Sequence, residues 1–188
     1  MESNLQDLNK AAITNGLIIG VLATVIGIVT YYVAPSLMGS TFYGIGLMLV
    51  SLGFYVYFTL DLRKKIGGYW NFKTALKGIF LMAFIAGVLS MVVNFVFYKF
   101  IEPGAFEKIS VHITEGLTST FENLGMQQEQ IDEAVEKQME AMKSQFDPTL
   151  TDLAKNFGIA VLIQFIMSLI FAAIFKKEEP VFIQNTEE

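Results

Sequence analysis

The stretch GIFLMAFIAGVLSMVVNFVFY, residues 78–98, decides the fold, because it contains no Asp, Glu, Lys, Arg or His. Three further stretches, residues 11–34, 41–60 and 156–175, are equally free of ionisable side chains. A bilayer core of about 30 Å needs about 20 mostly apolar residues in a helix, and each stretch reaches that length. The sequence therefore predicts an all-α membrane protein with four transmembrane helices, over about 11–34, 41–60, 76–100 and 155–175.

Composition supports a single membrane domain over residues 1–188. Hydrophobic residues make up 53% of the chain, which is more than a soluble domain carries. The chain has no cysteine, so disulfides, thiolate metal sites and a cysteine nucleophile are excluded. Acidic residues are concentrated after the third crossing, where residues 102–155 hold eleven acids and four lysines. Such an acidic balance argues against nucleic acid as a partner.

The basic residues near the helix ends predict the orientation, since cytoplasmic loops carry an excess of Lys and Arg. They lie before the first crossing, between the second and third, and after the fourth: Lys10, Arg63, Lys64, Lys65, Lys73, Lys77, Lys176 and Lys177. We therefore expect a multi-pass protein of the bacterial inner (cytoplasmic) membrane with both termini cytoplasmic, and with residues 178–188 as a flexible cytoplasmic tail. The first apolar run is too long for a signal peptide and favours a retained crossing.

The connections carry ordinary turn and cap signals. Pro35 and Gly39 break the chain between the first two crossings. Asn71 is placed to cap the third helix. Tyr69, Trp70 and the lysines that follow are most simply interfacial aromatics with stop-transfer charges, and a site for an anionic lipid is the less favoured alternative.

Residues 102–152 predict an extracytoplasmic helical hairpin between helices 3 and 4. Leu117, Phe121 and Leu124 mark its first helix, which Gly125 closes. A second amphipathic helix ends before Pro148, and the chain repeats apolar residues along one face of it. We expect these stripes to pack on each other or on another protein, which makes the second stripe the candidate partner contact: Ile131, Val135, Met139, Met142 and Phe146.

Small and hydrogen-bonding residues mark the faces on which the membrane helices should pack. The candidate packing residues lie on the first, third and fourth crossings: Gly16, Gly20, Ala23, Gly27, Ala83, Gly87, Ser90, Asn94, Gln164 and Ser168. Asn94 and Gln164 are the strongest polar groups at depth. Counted from the predicted helix ends, the two amides lie at similar depths, so we expect them to pair directly or through water.

The sequence offers no catalytic, cofactor-binding or metal-binding set. No acid, base or His lies within the crossings, whereas ion-coupled transporters usually carry such groups there. The lone His112 has no second His or Cys beside it, and a structural or solvated role is favoured.

The chain resembles a known family at two places. These are the sequence GYWNFKTALKGIF from Gly68 and the end of the third crossing, where Asn94 is followed by FVFYKFIEP. Both resemble a family of small bacterial membrane proteins called domain of unknown function four-one-nine-nine, known mainly from Bacteroidetes. The resemblance covers most of residues 10–177. It implies four crossings with an acidic helical insert before the fourth, and it implies no catalytic or binding residue.

Three functions are compatible with these patterns. The favoured hypothesis is a non-enzymatic membrane protein that acts through protein contacts or assembly, as a homo-oligomer or with a membrane partner, by its outer hairpin. The alternative is a passive channel or carrier for a neutral or apolar solute, with Asn94 and Gln164 inside. A membrane-embedded enzyme is least favoured.

Overall fold

The computed structural model describes residues 2–179, of which all regular elements are helical. Residues 180–188 of the predicted tail lie outside this range. The six α-helices are α1 Glu2–Val33, α2 Thr41–Lys65, α3 Phe72–Val96, α4 Ala105–Asn123, α5 Gln128–Phe146 and α6 Leu150–Phe175. A 3₁₀ turn, Pro35–Gly39, joins α1 to α2, and a π-helical turn, Phe97–Ile101, continues α3.

Four helical stretches are long and apolar enough to cross a membrane: Leu5–Val33, Thr41–Lys65, Phe72–Ile101 and Leu150–Phe175. They match the four predicted crossings, although most of their ends lie further out than predicted. α6 begins at Leu150 because Thr149 forms a capping box with Asp152, whose backbone nitrogen donates to the Thr149 hydroxyl at 3.2 Å. The predicted start near 155 overlooked this cap.

α3 is the central helix of the bundle. α1 packs along one side of it and α6 along another, whereas α2 packs mainly on α1 and touches α3 only briefly. Asn71 caps α3 as predicted, accepting from the Thr74 backbone nitrogen at 2.9 Å. A buried apolar cluster fills the end of the bundle that carries the N-terminus of α1 and the C-terminus of α6: Leu8, Ala12, Leu62, Ile79, Met82, Phe171 and Ala172 are among its members.

α4 and α5 contact each other and cover the opposite end of the bundle. The apolar face of α4 runs through Ala105, Ile109 and Ile113, which are buried. The prediction that Leu124 belongs to this face was wrong, since 72% of its side chain surface is exposed. The helix ends at Asn123, and Gly125 takes a positive φ of 76°, so the chain bends away before Leu124 can pack.

Candidate functional site

Gly87 of α3 and Gln164 of α6 lie against each other where these two helices pack. A Cβ added at Gly87 would overlap the Gln164 amide nitrogen, so the glutamine side chain lies directly against the α3 backbone. One turn further along α6, the buried Ser168 hydroxyl donates to the Gln164 carbonyl at 2.7 Å. The predicted packing faces of α3 and α6 therefore meet at Gly87, Gln164 and Ser168.

Beyond this contact, toward α5, the helices separate and leave a cleft of about 470 Å³ between α3, α5 and α6. We call it the amide cleft, because four carboxamide side chains line it among mostly apolar neighbours: Asn94, Gln145, Asn156 and Gln164. Its apolar walls come mainly from Phe84, Phe95, Tyr98, Phe146 and Phe157. No charged side chain is among the described residues that line it.

The side chains of these carboxamides make few hydrogen bonds to other residues. The Asn94 amide nitrogen donates to the Ser90 carbonyl of its own helix at 2.8 Å. Within residues 2–179, no side-chain hydrogen bond is formed by Gln145, Asn156 or Gln164. Asn94, Gln145 and Asn156 are exposed, and Gln164 is half-buried. The cleft therefore combines apolar walls with neutral donors and acceptors that a ligand can reach.

The direct pairing predicted for Asn94 and Gln164 is not formed: no hydrogen bond joins them in the described part of the chain. Gln164 lies opposite Gly87, about two turns deeper in the bundle than Asn94. The prediction measured depth from the wrong helix ends, because α6 begins at Leu150 and α3 continues through the π-helical turn. Both amides instead line the same cleft.

The predicted glycine stripe of α1 divides into two halves. A Cβ at Gly16 would lie 2.5 Å from the Met82 carbonyl oxygen, and one at Gly20 would lie 2.9 Å from Leu89. Gly16 and Gly20 therefore lie in the contact between α1 and α3, and Ala83 of α3 is buried. Ala23 and Gly27, however, are exposed and line an open space of about 330 Å³ between α1, α2 and α3, where Ser90 also lies.

The predicted partner-contact stripe of α5 packs within the chain. Ile131 and Val135 are buried, and Met139, Met142 and Phe146 pack against the cluster that contains Ile109 and Ile113 of α4. The Phe146 ring also lies 4.5 Å from the Tyr98 ring, centroid to centroid. Of the two predicted outcomes, packing within the hairpin region is therefore the one observed, and in this conformation the stripe is not a free surface.

Comparison with known proteins assigns the chain to a family. A family model described as "Protein of unknown function (DUF4199)" matches residues 14–177, which include three of the candidate spans completely and the first from residue 14 onward. The chain belongs to this family. No curated protein and no solved structure matches the chain. The resemblance seen in the sequence is thereby confirmed for the DUF4199 family.

A second polar cluster of this DUF4199 member lies just outside the bundle, where the Glu102 carboxylate joins α1 to α4. It accepts hydrogen bonds from the Tyr31 hydroxyl at 3.0 Å and the Tyr32 hydroxyl at 2.9 Å, and it pairs with the Lys108 ammonium. The bonds from Lys108, Tyr32 and Tyr31 lower the pKa of Glu102, and the bond to Glu102 raises the pKa of Lys108. These bonds connect α1 to α4, so the role of the cluster is structural.

The lowered pKa of Glu102 predicts a loss of stability in acid. Its contribution is fully present above the unfolded-state pKa of about 4.3 and is lost as the pH falls through the lower folded-state pKa. Glu102→Gln should lower the melting temperature at pH 7 and make it less sensitive to acid. Melting curves in detergent from pH 7 to pH 3 test this, with Glu107→Gln of α4 as the control. A Glu102→Gln variant whose acid sensitivity equals that of the wild type would contradict the assignment.

Two further structural sites escaped the sequence reasoning. Asn15, which is buried in α1, donates to the Asp61 carboxylate of α2 at 2.8 Å, and Asp61 pairs with Lys65 at 2.6 Å. The Trp70 indole, read as an interfacial anchor, is buried and donates to the Phe175 carbonyl at 2.8 Å. Asn15 within an otherwise apolar stretch was the available signal for the first site. The second site had none, because its partner is a backbone carbonyl.

The described residues show no metal-ligand cluster: within 2–179, no three His, Cys, Asp or Glu side chains are close enough to hold an ion. His112 lies on α4 with its Nδ1 3.8 Å from Glu115, and its backbone carbonyl faces Gly39. The described contacts of this residue are therefore structural.

Proposed function

We propose that this protein is a non-enzymatic integral membrane protein that binds a neutral amphiphile in the amide cleft. The observation that carries the proposal is the set of three accessible carboxamides, Gln145, Asn156 and Gln164, which line an otherwise apolar cleft and make no side-chain hydrogen bond to another residue within 2–179. A ligand with neutral hydroxyl, ester or amide groups would satisfy them, and its apolar part would contact the phenylalanines.

The charge distribution supports a neutral ligand. An anionic or cationic group would enter the cleft without a countercharge, since no charged residue is among its lining. The apolar stretches 11–34, 41–60, 78–98 and 156–175 also contain none of the Asp, Glu, Lys, Arg or His side chains that usually couple transport to ions. These features favour binding, or passive movement, of an uncharged molecule over coupled transport.

The proposed orientation follows from the charges at the two bundle ends. Lys65 donates to Asn15 of α1, and the Lys177 backbone pairs with that of Trp70. The basic residues near the start of α1, between α2 and α3, and after α6 therefore lie at the same end of the bundle. The positive-inside rule makes that end cytoplasmic. We accordingly propose that both termini are cytoplasmic, that the membrane is the bacterial inner membrane, and that α4, α5 and the mouth of the amide cleft are extracytoplasmic.

Assembly through the outer helices, the hypothesis that the sequence favoured, is the weaker candidate. It requires a partner or a second copy to displace Ile109 and Ile113 from the apolar stripe of α5. A carrier or channel, the alternative from the sequence, begins with the binding step proposed here, and solute flux into protein-containing liposomes tests whether movement follows binding.

The binding test removes two of the free carboxamides. Asn156→Leu combined with Gln164→Leu should weaken binding of a diazirine-bearing monooctanoylglycerol about tenfold, because each lost hydrogen bond costs about 0.5–1.5 kcal/mol. Photolabelling of the protein in phosphatidylcholine vesicles, at increasing probe concentration, measures this. Octanoic acid carrying the same diazirine should label poorly, since its carboxylate finds no countercharge.

A matched control keeps the result specific to the cleft. Ile159→Leu alters an exposed α6 residue that does not line the cleft and should label as the wild type does. Equal labelling of the wild type and of the double variant would refute the proposal, provided that both melt at similar temperatures.

A further inference from the structure

A second hollow, which we call the apolar groove, lies between α2, α3 and α6 and has a volume of about 360 Å³. Met48 and Leu52 of α2 and Met167 of α6 form much of its wall. All three are exposed, because α2 packs mainly on α1 and leaves the side facing α6 open. The Tyr55 and Phe171 rings meet edge to face at 6.5 Å, centroid to centroid, among the lining residues.

The groove and the amide cleft lie end to end along α3 and α6. Gln164 lines both. The other α6 residues that line the cleft come before Gln164 in the chain, and those that line the groove come after it, as far as Phe171. On α3 the cleft begins at Phe84, whereas the groove uses Ile79 and Ala83. The cleft and the groove thus form two segments of one lengthwise path, and the Gln164 side chain, which lies against Gly87, separates them.

The polarity of this path changes along its length. The part toward α5 carries Asn94, Gln145 and Asn156, and the groove beyond Gln164 is lined almost wholly by apolar atoms. From Asn156 to Phe171 the path is about 22 Å long, at about 1.5 Å per residue. This exceeds the depth of one bilayer leaflet, which is about 15 Å. A short solute would leave the groove empty.

We propose that the occupant is a long-chain neutral amphiphile, whose polar head lies in the amide cleft and whose single apolar chain displaces the Gln164 side chain and enters the apolar groove. This inference rests on the proposed function and adds the chain and its direction. The head lies toward α5 because the free hydrogen-bonding groups are there. The chain reaches the groove from the bilayer, since the exposed side of the groove between α2 and α6 faces the predicted lipid region.

The test compares chain lengths in variants of the groove. Met167→Trp places a large ring in the groove and should weaken labelling by a diazirine-bearing monooleoylglycerol about tenfold, while it leaves the monooctanoylglycerol analogue unaffected. Ile166→Trp, at the neighbouring exposed residue that does not line the groove, should change neither. A diazirine at the end of the oleoyl chain should label Met48, Leu52 or Met167, as identified by mass spectrometry of the digested protein.

The outcomes separate the two proposals. If Met167→Trp and Ile166→Trp bind both probes alike, or if the chain end labels residues outside the groove, the chain placement is wrong while the cleft proposal stands. If the variant that combines Asn156→Leu with Gln164→Leu binds the octanoyl probe as tightly as the wild type does, the cleft proposal is wrong instead.

Discussion

Gly116→Ala is expected to detach α4 from the 3₁₀ turn and to destabilise the protein by about 2–3 kcal/mol, near the upper end for overpacked sites. A Cβ at Gly116 would overlap the Gly39 carbonyl, and a Cβ at Gly39 would overlap the His112 carbonyl. The two backbones therefore touch without intervening side chains. Because backbone atoms cannot rotate away as a side-chain tip can, the helix itself has to move. Thermal unfolding in detergent, together with limited proteolysis of the α4–α5 region, measures the effect.

The control is Gly44→Ala, in α2 just beyond the same turn, where a Cβ would meet nothing within 4 Å. It should be neutral or stabilising by up to about 1 kcal/mol, since alanine favours helix more than glycine does. Gly39→Ala should resemble Gly116→Ala, and the double variant should cost less than the sum, because one displacement relieves both overlaps. A Gly116→Ala variant as stable as Gly44→Ala would contradict this contact.

Gly16→Leu is expected to separate α1 from α3 and to cost about 3 kcal/mol or more. The first atom of the new side chain would lie 2.5 Å from the Met82 carbonyl oxygen and 2.9 Å from the Ile85 Cβ, and the rest of the leucine has no space beyond them. Small residues let membrane helices approach closely, so loss of one at the contact removes packing along the whole interface. Unfolding in mixed detergent micelles at increasing SDS fraction measures the change in free energy.

The same stripe supplies the control. Gly27→Leu introduces an identical side chain on the same helix, but a Cβ there meets nothing within 4 Å. It should alter the unfolding free energy by less than about 1 kcal/mol, or raise it, because leucine favours helix. Similar losses in the two variants would show that the stripe packs as one unit, contrary to the structure.

The parts of the fold that depend on local sequence were predictable. The four candidate spans follow from runs of about 20 apolar residues. Asn71 caps α3 and Gly125 closes the helix before it, since each acts on backbone atoms a few residues away. The family resemblance was confirmed for the same reason: its motifs are contiguous.

The candidate site was only partly predictable. Asn94 and Gln164 were recognised as the polar groups at depth, but the prediction that they lie at similar depths and bond directly was wrong. The error lay in the positions of the helix ends from which depth was counted. The capping box at Thr149 starts α6 earlier than predicted, and the π-helical turn extends α3. Asn156 and Gln145 were overlooked, because neither is unusual until α5 and α6 bring them to one cleft.

By itself, the sequence determined which segments are helical and which of them are apolar enough to cross a membrane, and it located some of the helix caps. These properties depend on composition and on hydrogen bonds between near neighbours in the chain. The tertiary structure alone decided that Gly16 packs while Gly27 does not, that Gly39 meets Gly116, and that the α5 stripe is covered by α4. The helix pairings and their register depend on close approach between distant residues, and no periodicity within a single helix specifies the partner.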